Sequence, residues 1–313
     1  MTILVTGATG HVGRHVVAEL LRAGESVRAL TRRPDTAGLP AGAQVVQGDL
    51  ERPGTLPDAL AGVEKMFLFP VLEAAEEVVD LAVRAGVRRI VVLSSAAVTA
   101  GWDTEYHLPV ERAVEASGLE WTHVRPGEFA VNSLYMWGPS IRADRTVVEP
   151  FPDRAGTPVH EWDIAEVVAT ALVEDGHVGT AHTLSGPRTL TAREQVAAIA
   201  EALGEQIRLD ETTVDRARAF YHAQGGWAAA NADFLLGYED YSGVECVPDE
   251  DRSGVGSIAD EDRSGVDHVP GEPSGEERTA SRDAQGTITA DAVTGRPPRP
   301  YTTWARDHAA DFR

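Results

Sequence analysis

Lysine occurs once in the 313 residues, at Lys65, and cysteine once, at Cys246. A lone cysteine rules out an internal disulfide and a zinc centre built on several thiolates. The ten histidines contain no HExxH pair, so no metal is expected. TLSGP lacks the first glycine of a hydrolase elbow, G-x-S-x-G. No apolar run approaches the roughly 18–20 residues that cross a bilayer, which argues against a membrane-spanning protein. The start, MTILVTGATG, enters a strand with no basic leader, so a cytoplasmic location is expected. Excess positive charge is also missing, since the formal net charge is −21. Phosphate backbones are bound through clustered Lys and Arg, so a nucleic-acid partner is not expected.

What is present is an alternation of strands and helices. TILV, SVRALT, AQVV, VEKMFLF, RRIVVL and EWTHVR are β-branched, apolar runs. Between them lie helical patterns such as HVGRHVVAELLRAG, AAEEVVDLAVRAG and PVERAVEASGL. This order predicts a Rossmann-type α/β fold, a doubly wound parallel sheet, with a small C-terminal substrate lobe. The expected division is a nucleotide-binding core over 1–130, a lobe with mixed contributions over 131–237, an acidic insert over 238–283, and a C-terminal helix within 284–313. Asp163 is the expected cap of a helix in HEWDIAEVVATAL. Thr191 with Glu194 reads as a capping box. The insert is rich in Gly, Ser, Asp and Glu and poor in apolar residues, a composition that predicts disorder. Its residues Glu239–Asp283 hold 14 acids and 4 arginines, and DEDRSGV occurs there twice.

The stretch VTGATGHVG places Gly7, Gly10 and Gly13 between the first strand and the first helix. Gly7 permits the tight turn, Gly10 clears the approach of a pyrophosphate, and Gly13 lets helix and strand pack closely. With Thr9, His11 and Val12 they form the expected phosphate cradle at a helix N-terminus. A site for NAD usually carries an acid at the end of the second strand. Here Thr31 stands there, followed by Arg32 and Arg33. A guanidinium suits a 2′-phosphate, so NADPH is the expected cofactor. Asp49 and Leu50 after the third strand, Phe69 and Pro70 after the fourth, and Ser94 after the fifth complete the expected cofactor contacts.

TILVTGATGHVG, GDL, AGVRRIVVLSS, ASGLEWTHVRPGEF, DIAEVVATAL and WARDHAADF together resemble the NmrA-like group of atypical short-chain dehydrogenases/reductases. That group includes NADPH-dependent quinone reductases, triphenylmethane dye reductases and redox-sensing regulators. The resemblance covers about residues 1–235 and the C-terminal helix, and the acidic insert has no counterpart in it. It implies that Pro126 and Gly127 meet the nicotinamide carboxamide. It also implies that Ser95 faces the substrate, although a strand-end serine equally caps the next turn. Typical relatives use a Tyr-x-x-x-Lys pair, which is impossible here, since Ala61 stands four residues before Lys65. Registering on Glu111 puts His107 at the lysine position and Asp103 at the tyrosine position. His107 is therefore the leading candidate for ribose anchor and proton source, beside the alternative of a structural histidine. Tyr106, one residue out of register, is the other candidate acid.

Phe129, Asn132, Tyr135, Trp137 and His160 are expected to line the substrate side, with a flat aromatic or quinone-like small molecule as substrate. The resulting expectation is hydride transfer to a conjugated acceptor by a monomer or homodimer. The alternatives are an NADP-binding redox sensor without catalysis and a cyclase or dehydratase on the same fold.

Overall fold

The computed structural model describes residues 1–238 and 287–313. The expected disordered insert, repeat included, lies almost wholly outside them. The first half builds β1 (Thr2–Val5), α1 (His11–Arg22), β2 (Ser26–Thr31), β3 (Gln44–Gln47), the short α2 (Pro57–Leu60), β4 (Lys65–Leu68), α3 (Ala75–Ala85), β5 (Arg89–Leu93), the short α4 (Ala96–Ala100), α5 (His107–Ala116) and β6 (Glu120–Pro126). The second half adds α6 (Asn132–Asp144), β7 (Thr146–Glu149), β8 (Ala155–Gly156), α7 (Glu161–Val173), β9 (Thr180–Leu184), β10 (Leu190–Thr191), α8 (Ala192–Leu203), β11 (Arg208–Glu211), α9 (Val214–Gln224) and α10 (Gly226–Leu235). After the undescribed stretch come β12 (Thr287–Ile288), α11 (Asp291–Thr294) and α12 (Tyr301–Asp307).

Eight strands form the main sheet in the order β12-β9-β6-β5-β4-β1-β2-β3. Every pairing in it is parallel. A parallel sheet needs both faces covered. On one face Val12, Val16, Val17 and Leu20 of α1 pack with Ile164, Val167, Val168 and Leu172 of α7. On the other, α3 and α5 contribute Val78, Val79, Ala82, Val110 and Val114. Beyond residue 130 the chain does two things. α6, α8, α9, α10 and α12 with the short strands β7, β8, β10 and β11 build the lobe, around Trp137, Ile141, Ile199 and Trp304 and around Ala217, Tyr221 and Ala228. Meanwhile α7, β9 and β12 return to the main sheet.

The capping box at Thr191 and Glu194 is present. The cap of α7 differs from expectation. The helix starts at Glu161, so the capping position falls on His160, whose side chain accepts the Trp162 N–H at 3.1 Å. Asp163 lies inside the first turn and instead accepts the Arg299 backbone N–H at 2.7 Å and bonds its guanidinium.

Lys65 begins β4, an interior strand, at the N-terminal end of the parallel sheet and so at the opposite end from the glycine turn. It is 6% exposed and donates to the Leu172 carbonyl at the end of α7 at 2.5 Å. Arg89 does the same for Glu174 O at 2.6 Å and pairs with Glu120 and Asp175. Two buried cations thus close the negative end of a helix that has no C-terminal glycine. Lys65→Met is expected to cost about 1–3 kcal/mol, because it leaves a buried carbonyl unpaired. Urea unfolding checks this, and an unchanged midpoint would refute the role.

Candidate functional site

The turn after β1 is shaped by contacts that a side chain would spoil. Gly7 has φ +57°, in the left-handed region. Thr6 ties this turn to the end of β4. Its hydroxyl donates to Phe67 O at 2.9 Å and accepts the Phe69 N–H at 2.8 Å. α1 then begins at His11 with Gly10 as its capping residue, no side-chain cap and no acid in its first turn. Its first N–H groups are therefore offered outward, as an anion cradle needs. Val12 serves through its backbone only, since its side chain is buried in the core.

At the end of β2, the Thr31 hydroxyl accepts the Arg33 N–H at 3.2 Å. Arg32 and Arg33 are both exposed. Among the described residues neither guanidinium has a hydrogen-bond or ion-pair partner. Asp49 uses Oδ1 on the Glu51 N–H at 3.2 Å, a turn contact, while Leu50 is buried in the core. These residues fit NADPH: a bare helix N-terminus stands for the pyrophosphate and two free guanidinium groups for a 2′-phosphate.

The other end of the cradle lies over β4, β5 and β6. Phe69 is an exposed aromatic ring beside Gly7, and Pro70 is buried. Ser94 is buried, with its N–H donating to Val124 O at 2.7 Å. Ser95 caps α4, accepting the Ala97 N–H at 3.2 Å. Pro126 ends β6, and the Gly127 N–H is held by Leu184 O at 2.9 Å.

One face of α5 brings together the residues of the expected catalytic register. Glu111 receives two bonds from the Arg125 guanidinium, at 2.9 and 2.6 Å, and lies against Ser94. Burial pushes its carboxyl up, but the Arg125 bonds outweigh this and hold it below the usual range. Glu111, Glu115 and His123 place ligand atoms within 4.8 Å of one another, yet the guanidinium already occupies both Glu111 oxygens. One turn earlier His107 is joined to Asp103, Nδ1 to Oδ2, at 2.5 Å. Tyr106 packs edge-on against the His107 ring, with centroids 4.8 Å apart. Its phenol is pushed above the ordinary value by burial and then by Glu73, Asp103 and Glu51. Each of these neighbours among the described residues acts in this same direction.

A cavity of about 740 Å³ opens between α1, α6, the start of α7, the α9–α10 junction and the C-terminal segment. Of the expected substrate residues it is lined by Tyr135 and His160. The Tyr135 hydroxyl bonds His11 Nε2 at 2.5 Å, and its ring stacks on Trp227. His15 stacks on Trp162, and burial takes its pKa down to about 4, leaving it neutral at pH 7. Burial also opposes charge on His308, but its bonds to Glu161 and Asp311 prevail and hold it above the ordinary value. His160 is buried at the cavity wall as the α7 cap. Trp137 is buried in the lobe core and is not among the residues lining this cavity. Phe129 bridges the sheet core and the lobe core, and Asn132 opens α6.

Sequence reasoning passed over four residues. Asp103 was read only as the occupant of the tyrosine register. Trp227 falls in a segment where no motif marks it, and His308, inside WARDHAADF, was given no role of its own. The groups around Glu128, after Gly127, desolvate its carboxyl and push it up. For Asp103 a signal existed, an acid just ahead of the helix that starts at His107, where a carboxylate can accept the first unpaired N–H groups.

Residues 7–175 match a family model described as NAD(P)H-binding. The chain is 36% identical over 318 residues to the (4-alkanoyl-5-oxo-2,5-dihydrofuran-3-yl)methyl phosphate reductase of Streptomyces griseus, covering 99% of each. It is 32% identical to the NAD(P)H azoreductase of Xenophilus azovorans, over 76% of this chain and 90% of that one. Its fold matches the Escherichia coli NADPH-dependent quinone oxidoreductase in complex with NADPH, with a TM-score of 0.72. That likeness covers 98% of this chain and 99% of the other at 21% identity.

Proposed function

Because the chain belongs to the NAD(P)H-binding, NmrA-like branch of the short-chain dehydrogenases/reductases, we propose that it reduces a carbon–carbon double bond conjugated to carbonyl groups, at the expense of NADPH. The observation that carries the acceptor class is the full-length similarity to the Streptomyces griseus reductase. The compound in that enzyme's name is an unsaturated lactone. Its ring double bond is conjugated with both the lactone carbonyl and the alkanoyl carbonyl. An acceptor of this kind spreads incoming charge over two oxygens. It needs only a modest acid, which fits a site without the Tyr-x-x-x-Lys pair.

NADPH, when bound, supplies the hydride. The residues that would hold it are the turn Gly7–Gly13, Arg32 and Arg33, and the backbone at Pro126 and Gly127. His107 would hold the proton. The cavity beside His11 and Tyr135, with its aromatic walls and with burial favouring the neutral form of His11 and His15, would take the acceptor's side chains.

The test is nicotinamide consumption with an acyl butenolide phosphate, a quinone and an azo dye side by side. Reduction of the butenolide with the highest kcat/KM is expected. No consumption with any of them would favour a nucleotide sensor. Turnover without net NADPH oxidation would favour a cyclase or dehydratase.

Cofactor choice has its own test. NADPH is expected to bind more tightly than NADH. Replacing Arg32 and Arg33 with alanine is expected to weaken NADPH by about 1.5–3 kcal/mol per charge-assisted bond lost, leaving NADH unchanged. Equal affinity of the unmodified protein for both cofactors would sink the assignment.

A further inference from the structure

We propose that Asp103 is a positioning residue that fixes the tautomer of the His107 imidazole: it holds the Nδ1–H and thereby commits Nε2 to delivering the proton that completes reduction. The inference rests on the reductase reading above.

Three observations carry it. First, Asp103 is 4% exposed and fully engaged. Its Oδ1 accepts the N–H groups of Tyr106 and His107, at 3.1 and 2.9 Å, and its Oδ2 meets His107 Nδ1 at 2.5 Å. A carboxylate can only accept, so the shared proton belongs to Nδ1. Second, the His107 side chain is 23% exposed, and Nε2 has no partner among the described residues. It is the one polar atom of the pair left for a ligand. Third, α5 places it. This helix joins the C-terminal end of β5 to the start of β6, so its own N-terminus lies at the edge where the strands end. Glu111 touches Arg125 near the end of β6 and Ser94 at the end of β5. His107 stands one turn earlier on the same face, about 6 Å nearer the N-terminus. That places it toward the C-terminal edge of the parallel sheet, the same edge that carries the glycine turn after β1.

NADPH, once bound, would be the reductant: the C4–H bond of its nicotinamide would break, leaving the oxidised cofactor, and the hydride would form a C–H bond at the alkene carbon remote from the carbonyl. The π pair moves toward the carbonyl as an enolate. The Nε2–H bond of cationic His107 then breaks, and its proton forms the second C–H bond at the carbon next to the carbonyl. His107 is left neutral, with Nδ1–H still on Asp103, and takes a proton from water. Asp103 keeps its charge throughout, and the imidazole never turns over to offer Nδ1.

A bland role, capping α5, also fits Asp103, so the test must separate the two. Asp103→Asn keeps an oxygen for the backbone N–H groups but not the anion. With ¹⁵N-labelled histidine, His107 is identified by the signal lost in His107→Gln. In the unmodified protein its neutral form is expected as the Nδ1–H tautomer. In Asp103→Asn a mixture is expected, with kcat lowered about tenfold or more and KM little changed. Asp103→Ser, which also caps helices, should behave alike and serves if the asparagine variant does not fold. An unchanged tautomer signal, or unchanged kcat, in a folded variant overturns the proposal. Should the unmodified protein reduce no conjugated acceptor, the reductase reading fails by itself, and the tautomer signal still decides whether Asp103 fixes the imidazole.

Discussion

Replacing His107 with alanine is expected to lower turnover by about 10²–10⁴-fold, the usual worth of a positioned acid or base. Tyr106→Phe is expected to leave turnover nearly unchanged. The contrast follows from the surroundings of the two side chains. The imidazole is held by Asp103 and leaves Nε2 open. The Tyr106 phenol is exposed on one side and faces Glu73, Asp103 and Glu51 on the other, so charge on its oxygen is disfavoured. What Tyr106 contributes to His107 is an edge-on ring contact, and phenylalanine keeps the ring. Steady-state kcat with NADPH and the best conjugated acceptor is the measurement. Loss of turnover in Tyr106→Phe with a surviving His107→Ala would show that the register built on Glu111 is off by one and that the tyrosine is the acid.

The core was legible because each local signal agreed with the next. β-Branched runs gave the strands, helical spacing of Val12, Val16, Val17 and Leu20 gave α1, and three glycines gave the turn between them. The lobe was not legible in the same way. Its strands β8 and β10 are two residues long, and a two-residue strand has no period to read. Its helices are placed by contacts with residues far away in sequence, such as Tyr301 donating to Ser133. The return of α7 and β9 to the main sheet is also a tertiary choice, settled by packing of α7 against α1. Capping failed for a chemical reason. The rule favours Ser, Thr, Asp and Asn, so Asp163 drew attention while a histidine imine nitrogen took the role. Lys65 was read only for the catalytic pair it cannot make. Its work at the end of α7 depends on a carbonyl 107 residues away.

Gly10→Ala and Gly13→Ala are expected to fail in different ways, and the difference tests the cradle directly. A methyl group on Gly13 would lie 2.1 Å from Gly7 O, 2.8 Å from Gly7 C and 3.0 Å from Ala8 Cα. These are backbone atoms and cannot rotate aside. α1 would have to move off the turn and draw Val16, Val17 and Leu20 away from the sheet. The expected loss of stability is about 1–3 kcal/mol, more if the helix cannot shift, and cofactor binding goes with it. A methyl group on Gly10 meets only Gly7 O, at 3.2 Å. Gly10 is extended, at φ −75° and ψ 175°, a conformation open to any residue. The Gly10→Ala protein should therefore fold with nearly the original stability. Its new methyl group would stand in front of the helix N-terminus, where the pyrophosphate oxygens must approach the N–H groups. Each charge-assisted hydrogen bond lost costs about 1.5–3 kcal/mol, at least tenfold in Kd. Urea unfolding and NADPH titration on both variants give the four numbers needed. If Gly10→Ala binds NADPH as the unmodified protein does, the pyrophosphate does not sit against Gly10, and the cradle has been placed wrongly.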